Sequence, residues 1–232
     1  MDANTMDRGG GDDAARFERL RTRRLASGAG IAFAALFLVA LLILVRTPGG
    51  RPTDQDVIAF YASDRPRWTL LGGIYLLPIA VVAFLWFAVA FRLWVEERDR
   101  PMDRLLAGVQ ALSAAGFITL AFVAASAATA IAAGVELADY PVDAAIARQF
   151  SVFSRTLLMI FGMRMAAIFV TSTARLGDGA GILPRWFVVG SYAVAAALFL
   201  AATLGAWLVV VFPLWMLVLS GLIWMSGRPS SA

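Results

Sequence analysis

The 232-residue sequence contains no lysine, no histidine and no cysteine, and all 20 of its basic residues are arginine. Each absence removes a class of chemistry. Without lysine there is no Schiff base to retinal or pyridoxal phosphate and no Walker-type lysine on a phosphate. Without histidine or cysteine there is no Ser-His-Asp hydrolase, no bis-histidine haem, no disulfide and no ordinary zinc or iron–sulfur centre. No cofactor and no metal are therefore expected. Charge is scarce as well, at 16% of residues against about 25% in an ordinary soluble domain. Hydrophobic residues make up 60%, an excess that places the chain in lipid. A net charge of +4 and a calculated pI near 10.3 would suggest nucleic acid in a soluble protein. Here topology places the charges first, and no nucleic-acid partner is expected.

A helix that crosses the hydrocarbon layer, about 30 Å thick, needs about 20 mostly apolar residues. Six runs meet that length: about 25–45, 69–91, 105–133, 150–172, 186–204 and 207–226. The last two come from one stretch too long for a single crossing, divided near Leu204–Trp207, where Gly205 permits a turn. Uninterrupted apolar runs exclude the alternation of a barrel, so the expected fold is all-α, a polytopic bundle of six transmembrane helices. Residues 1–24 form an N-terminal tail, with 1–14 expected to be disordered and 15–24 read first as a basic orientation signal with no partner and, as the alternative, as a short basic helix on an anionic leaflet. Residues 25–226 form the transmembrane domain, and 227–232 a short C-terminal tail.

Arginine placement orients these spans. With the N-terminus inside, thirteen arginines fall on the inner side and five on the outer, while Arg155 and Arg164 stay within a span. Both termini are therefore expected in the cytoplasm. Tryptophan supports the boundaries, because Trp68, Trp94, Trp186, Trp207 and Trp224 fall at span ends. Trp86 and Trp215 fall inside spans and are expected to pack between helices. In the first outer loop, Thr53 can cap a short helix whose Val57, Phe60 and Tyr61 face one way, with Pro66 ending it.

Within the spans there is no Asp, Glu or His, which weighs against proton-coupled transport and removes an intramembrane carboxylate pair. Intramembrane serines have no base beside them and are expected to bond back to their own helices. The most informative residue is Arg164, eleven residues before Arg175 and so about 16 Å in from the inner end of its helix. A cation at that depth costs about 2.5–3.5 kcal/mol, so it should face a bundle interior or a wet cavity. Thr171 and Arg175 lie close to the same face. At similar depth the chain offers only neutral groups, among them Gln110, Ser113, Ser191 and Tyr192. Arg164, Thr171, Gln110, Ser113 and Tyr192 are accordingly the candidate ligand-binding residues, and no catalytic residue is assigned. Three roles stay open for Arg164: bonding to backbone carbonyls or snorkelling, binding an anion or lipid headgroup, and contacting a partner protein.

Other signals are structural. The third span repeats small residues at four-residue spacing, Ala107–Ala111–Ala115 and Ala121–Ala125–Thr129–Ala133, and is expected to be the central helix. Pro78 and Pro213 should kink the second and sixth spans. The acidic run VEERDRPMDR at 95–104 is interleaved with arginine and reads as a charged turn, and GDGAG at 177–181 as a flexible loop.

AFYASDRPR in the first outer loop, FLWF at 84–87, RMAAIFVTSTARLGDGAGILPRW at 164–186 and the closing FPLWMLVLSGLI together carry a resemblance. With them the chain resembles a family of small multi-pass membrane proteins of high-GC Gram-positive bacteria. The resemblance implies a six-helix topology in a bacterial cytoplasmic membrane and transfers no activity or site. The leading expectation is a non-enzymatic membrane protein that binds a membrane protein partner, a second copy of itself or anionic lipid. The alternative is a small transporter or channel for an anion or amphiphile that uses Arg164.

Overall fold

The computed structural model describes residues 6–44, 52–98, 102–200 and 206–226, and all of their regular structure is helical. Seven helices follow one another: α1 (Met6–Leu44), α2 (Asp54–Tyr61), α3 (Arg65–Glu96), α4 (Arg104–Ala138), α5 (Ala144–Gly179), α6 (Arg185–Leu200) and α7 (Val211–Met225), the last led in by a 3₁₀ turn, Ala206–Val210. Five are long and apolar enough to cross a membrane: α1 from Arg21, α3, α4, α5 and Trp207–Met225. Helix α6 is apolar but shorter, at 16 residues. The expected turn at Gly205 and the tail 227–232 lie outside the described residues.

Residues 6–24, divided by the sequence between a disordered stretch and a separate basic helix, continue α1 without a break. No proline interrupts 6–44, so an apolar helix once formed propagates upstream at low cost. Residues 1–5 are outside the described set. The two intrahelical prolines act through the turn before them. Pro78 has no N–H to offer, and the preceding segment Leu71–Leu76 widens into a π turn in which the Leu77 amide donates to the Gly72 carbonyl. Pro213 follows the 3₁₀ turn of Ala206–Val210. A second π turn, Leu157–Gly162, interrupts α5 without a proline.

The helices close into a ring in chain order. α1 packs on α3, α3 on α4, α4 on α5, α5 on α6, α6 on α7, and α7 returns to α1. Six phenylalanines fill the middle: Phe33 and Phe37 from α1, Phe84 from α3, Phe117 from α4, Phe169 from α5 and Phe212 from α7. All are fully buried. Their centroids come as close as 4.8 Å (Phe84–Phe169) and 5.0 Å (Phe33–Phe84), mostly tilted or edge-on, as the ring quadrupoles prefer.

Small residues set the helix approaches. A Cβ on Gly30 would stand 2.0 Å from Ser220 Oγ, and Ser27 donates to the Ser220 carbonyl, tying α1 to α7. At Gly73 a Cβ would stand 2.2 Å from Thr129 Cγ2 and 3.5 Å from the Ala125 carbonyl, so Ala125 and Thr129 form a close α3–α4 contact. The other half of that stripe, Ala111 and Ala115, is exposed and lines a groove instead. Helix α4 is not central: 33% of its apolar window is buried, against 56% for α5. Small side chains permit close approach but do not surround a helix with neighbours.

One end of the bundle is covered. Thr53 caps α2 in a reciprocal box with Asp56, and Val57, Phe60 and Tyr61 are buried against Ala132 of α4 and Ala144 and Ala147 of α5. The helix with this apolar face is the one expected, but it ends at Tyr61 and Pro66 opens the next helix. A residue without an N–H fits a first helical turn, whose amides have no intrahelical acceptor.

Candidate functional site

Arg164 follows the π turn of α5 directly. Such a turn takes up about one extra residue, so the nine-residue spacing to Arg155 does not set the two side chains on opposite faces. Arg164 is half-buried at the seam with α6, and its guanidinium carbon lies 5.7 Å from the centroid of Phe199. A cation over a ring gains about 0.5–2 kcal/mol. The contact leaves Arg164 Nε, which is buried, without a hydrogen-bond partner. Among the described residues only Glu97 Oε2 and Ser220 Oγ share that condition. An unmet buried donor costs about 1–3 kcal/mol, more for a charged group. Arg164 therefore sits on Phe199 with its Nε hydrogen bond unmet.

From Phe199 a groove of about 490 Å³ runs along α5 between α4 and α6, towards the end opposite α2. Its walls are mostly apolar, with Thr171, Ser172 and Tyr192 as the polar members. Two of the expected site residues thus meet. Thr171 donates its hydroxyl to the Ala167 carbonyl and lines the groove, and Tyr192, 39% exposed, lines the opposite wall.

Gln110 and Ser113 do not join them. Gln110 is buried and donates its amide to Thr173 Oγ1 at 3.2 Å, clasping α4 to α5, while Ser113 bonds to the Gln110 carbonyl. Gln110 also lines the base of a second groove, about 530 Å³, between α3 and α4. Ser191 behaves as expected of an intramembrane serine, donating to the Phe187 carbonyl while accepting from Trp215 Nε1.

The tryptophans divide differently from expectation. Trp215 is buried, but so is Trp94, with Arg98 5.3 Å from its ring, whereas Trp86 is 62% exposed on the outer face of α3. Position within a span says nothing about which way a side chain faces.

The end opposite α2 has charged groups of its own. Arg92 pairs with Glu96, and Asp103 caps α4 by accepting from the Leu105 and Leu106 amides. Residues 99–101 of the acidic run are outside the described set. The GDGAG stretch is ordered differently from a loop: α5 continues to Gly179, Gly181 takes a positive φ of 69°, and the Ile182 amide caps the Gly177 carbonyl. Among the described residues no group of three or more Asp or Glu is placed to hold a metal.

Sequence reasoning missed Phe199, the partner ring of Arg164. The two residues lie on different helices, so no local spacing announces the contact. Comparison with protein-family models, with curated proteins and with solved structures finds no match to this chain.

Proposed function

We propose that the protein is a non-enzymatic, six-span protein of a bacterial cytoplasmic membrane, with both termini cytoplasmic, that acts by binding a membrane partner at the α5–α6 seam. Counting α6 as the sixth crossing is supported by its place in the ring between α5 and α7, and the orientation by the arginine bias. The observation that carries the binding reading is the buried, unpartnered Nε of Arg164. A guanidinium cannot shed its charge, so a carboxylate or carbonyl on a partner helix, or an anionic lipid, completes its hydrogen bonds from outside the chain once the half-buried side chain turns its Nε to the surface. The dry phenylalanine centre weighs for contact over conduction, because a path along the bundle axis would have to part all six rings.

The test is purification in mild detergent after crosslinking in cells, with the parent chain beside Arg164→Ala and Arg164→Gln. A defined protein or anionic lipid should accompany the parent and fall about tenfold in both variants, the effect of one lost charge-assisted bond. A lipid-free monomer without crosslinks removes the proposal.

A further inference from the structure

Leu106 lines both the groove along α5 and a second chamber, of about 180 Å³, whose wall includes three charged residues. On α5 the change takes one turn, from Thr171 and Ser172 in the groove to Arg175 and Leu176 in the pocket. An apolar groove beside a small chamber with charged residues matches the two parts of a lipid, tail and head.

The chamber's charges define the head. Arg175, Asp178 and Asp103 line it, one cation against two carboxylates. Arg175 Nη1 and Asp178 Oδ2 are 3.7 Å apart, beyond hydrogen-bond length, so each keeps capacity for another partner. Asp103 Oδ1 serves the α4 amides, and those bonds leave its other oxygen uncommitted. A purely anionic headgroup would meet more negative than positive charge here. A quaternary ammonium is held by aromatic rings, and none lines this chamber. A primary ammonium, by contrast, donates directly to carboxylates.

We propose that groove and chamber together bind one phospholipid bearing a primary ammonium group. Its phosphate sits on Arg175, its ammonium on Asp178 and Asp103, and one acyl chain lies along α5 towards Phe199. The groove's volume falls within the range of about 300–1,000 Å³ common for ligand sites. The site does not use Arg164, so it stands or falls separately from the partner reading above.

The test is native mass spectrometry of the full chain exposed to equimolar phosphatidylethanolamine, phosphatidylcholine and phosphatidylglycerol with identical acyl chains. The ethanolamine lipid should be retained about tenfold over each of the others, as one charge-assisted bond gives. Asp178→Asn should bring it to parity with the choline lipid. Ala196→Trp, at an exposed position on the groove wall, should remove the retained lipid while the chain keeps its Tm. Arg164→Gln should leave the headgroup preference as it is. Equal retention of the three lipids overturns the proposal, as does a preference that survives Asp178→Asn or one that is lost with Arg164→Gln.

Discussion

The two ends of the bundle are built from the same helices but held by different means. At the α2 end, contacts join elements far apart in the chain. Phe60 and Tyr61 of α2 are buried on α4 and α5, Arg67 of α3 reaches Glu136 of α4 at 3.0 Å, and Arg148 of α5 pairs with Asp54 of α2 while donating to the Pro52 carbonyl. At the opposite end the ion pairs are one helical turn apart, Arg92 with Glu96 and Arg175 with Asp178. There Ala111 and Ala115 of α4 border a groove rather than a neighbouring helix. The difference teaches where this protein has spent its contacts: a covered end that fixes helix positions, and an open end whose surfaces are left for something else.

The largest effect expected from disturbing that contrast is Phe60→Ala. Removing a ring that is 5% exposed should cost about 3 kcal/mol or more and free α2, seen as lost hydrogen-exchange protection over 57–61. Leu93→Ala on the α3–α4 groove, at 48% exposure, should change Tm little, within about 0.5 kcal/mol. If the two variants behaved alike, the covered end would not be the firmer one.

An intermediate effect should come from the cap. Thr53→Ala removes both hydroxyl bonds of the box and should cost about 1 kcal/mol. The same box gives α2 a pH dependence. Hydrogen bonds from the Thr53 side chain and then its backbone amide hold the Asp56 carboxyl below its ordinary range. A depressed carboxylate stabilises the fold above the unfolded value, near about 4, and that stabilisation is lost as pH falls through the folded value. Exchange protection of α2 should therefore weaken below about pH 4 in the parent and show a smaller step in Thr53→Ala, which keeps the backbone amide bond to Asp56.

The smallest effect is in the ion pairs. A double-mutant cycle on Arg148 and Asp54 should give a coupling of about 0.5–1 kcal/mol, and one on Arg175 and Asp178 close to zero. Both pairs are partly exposed, but the first joins separate helices whereas the second spans a single turn at 3.7 Å. Equal couplings would erase the electrostatic part of the contrast.

Much of the architecture was legible because it is local. Apolar run length located the five long apolar helices, which extend past the expected runs by up to seven residues, and Thr53 together with Val57, Phe60 and Tyr61 announced α2 and its buried face. The functional candidates were legible only in part. Arg164 stood out by composition, as a cation among apolar residues, and Thr171 and Tyr192 do meet in one groove. Gln110 was drawn in by depth alone, and depth does not distinguish a residue aimed at Arg164 from one clasping Thr173.

The sequence by itself determined that the chain is helical, that several helices suit lipid, and that most acid–base and metal chemistry is unavailable. Those properties depend on transfer energies and hydrogen bonding within each segment, so neighbouring residues encode them. Packing in three dimensions was needed to close the ring through Ser27 and Ser220, to fill its centre with six phenylalanines, to stand Phe199 on Arg164, and to set Leu106 in the walls of both an apolar groove and a chamber with charged residues. These depend on which helix faces meet, and the π turns of α3 and α5 rotate those faces away from where an uninterrupted 3.6-residue repeat would set them.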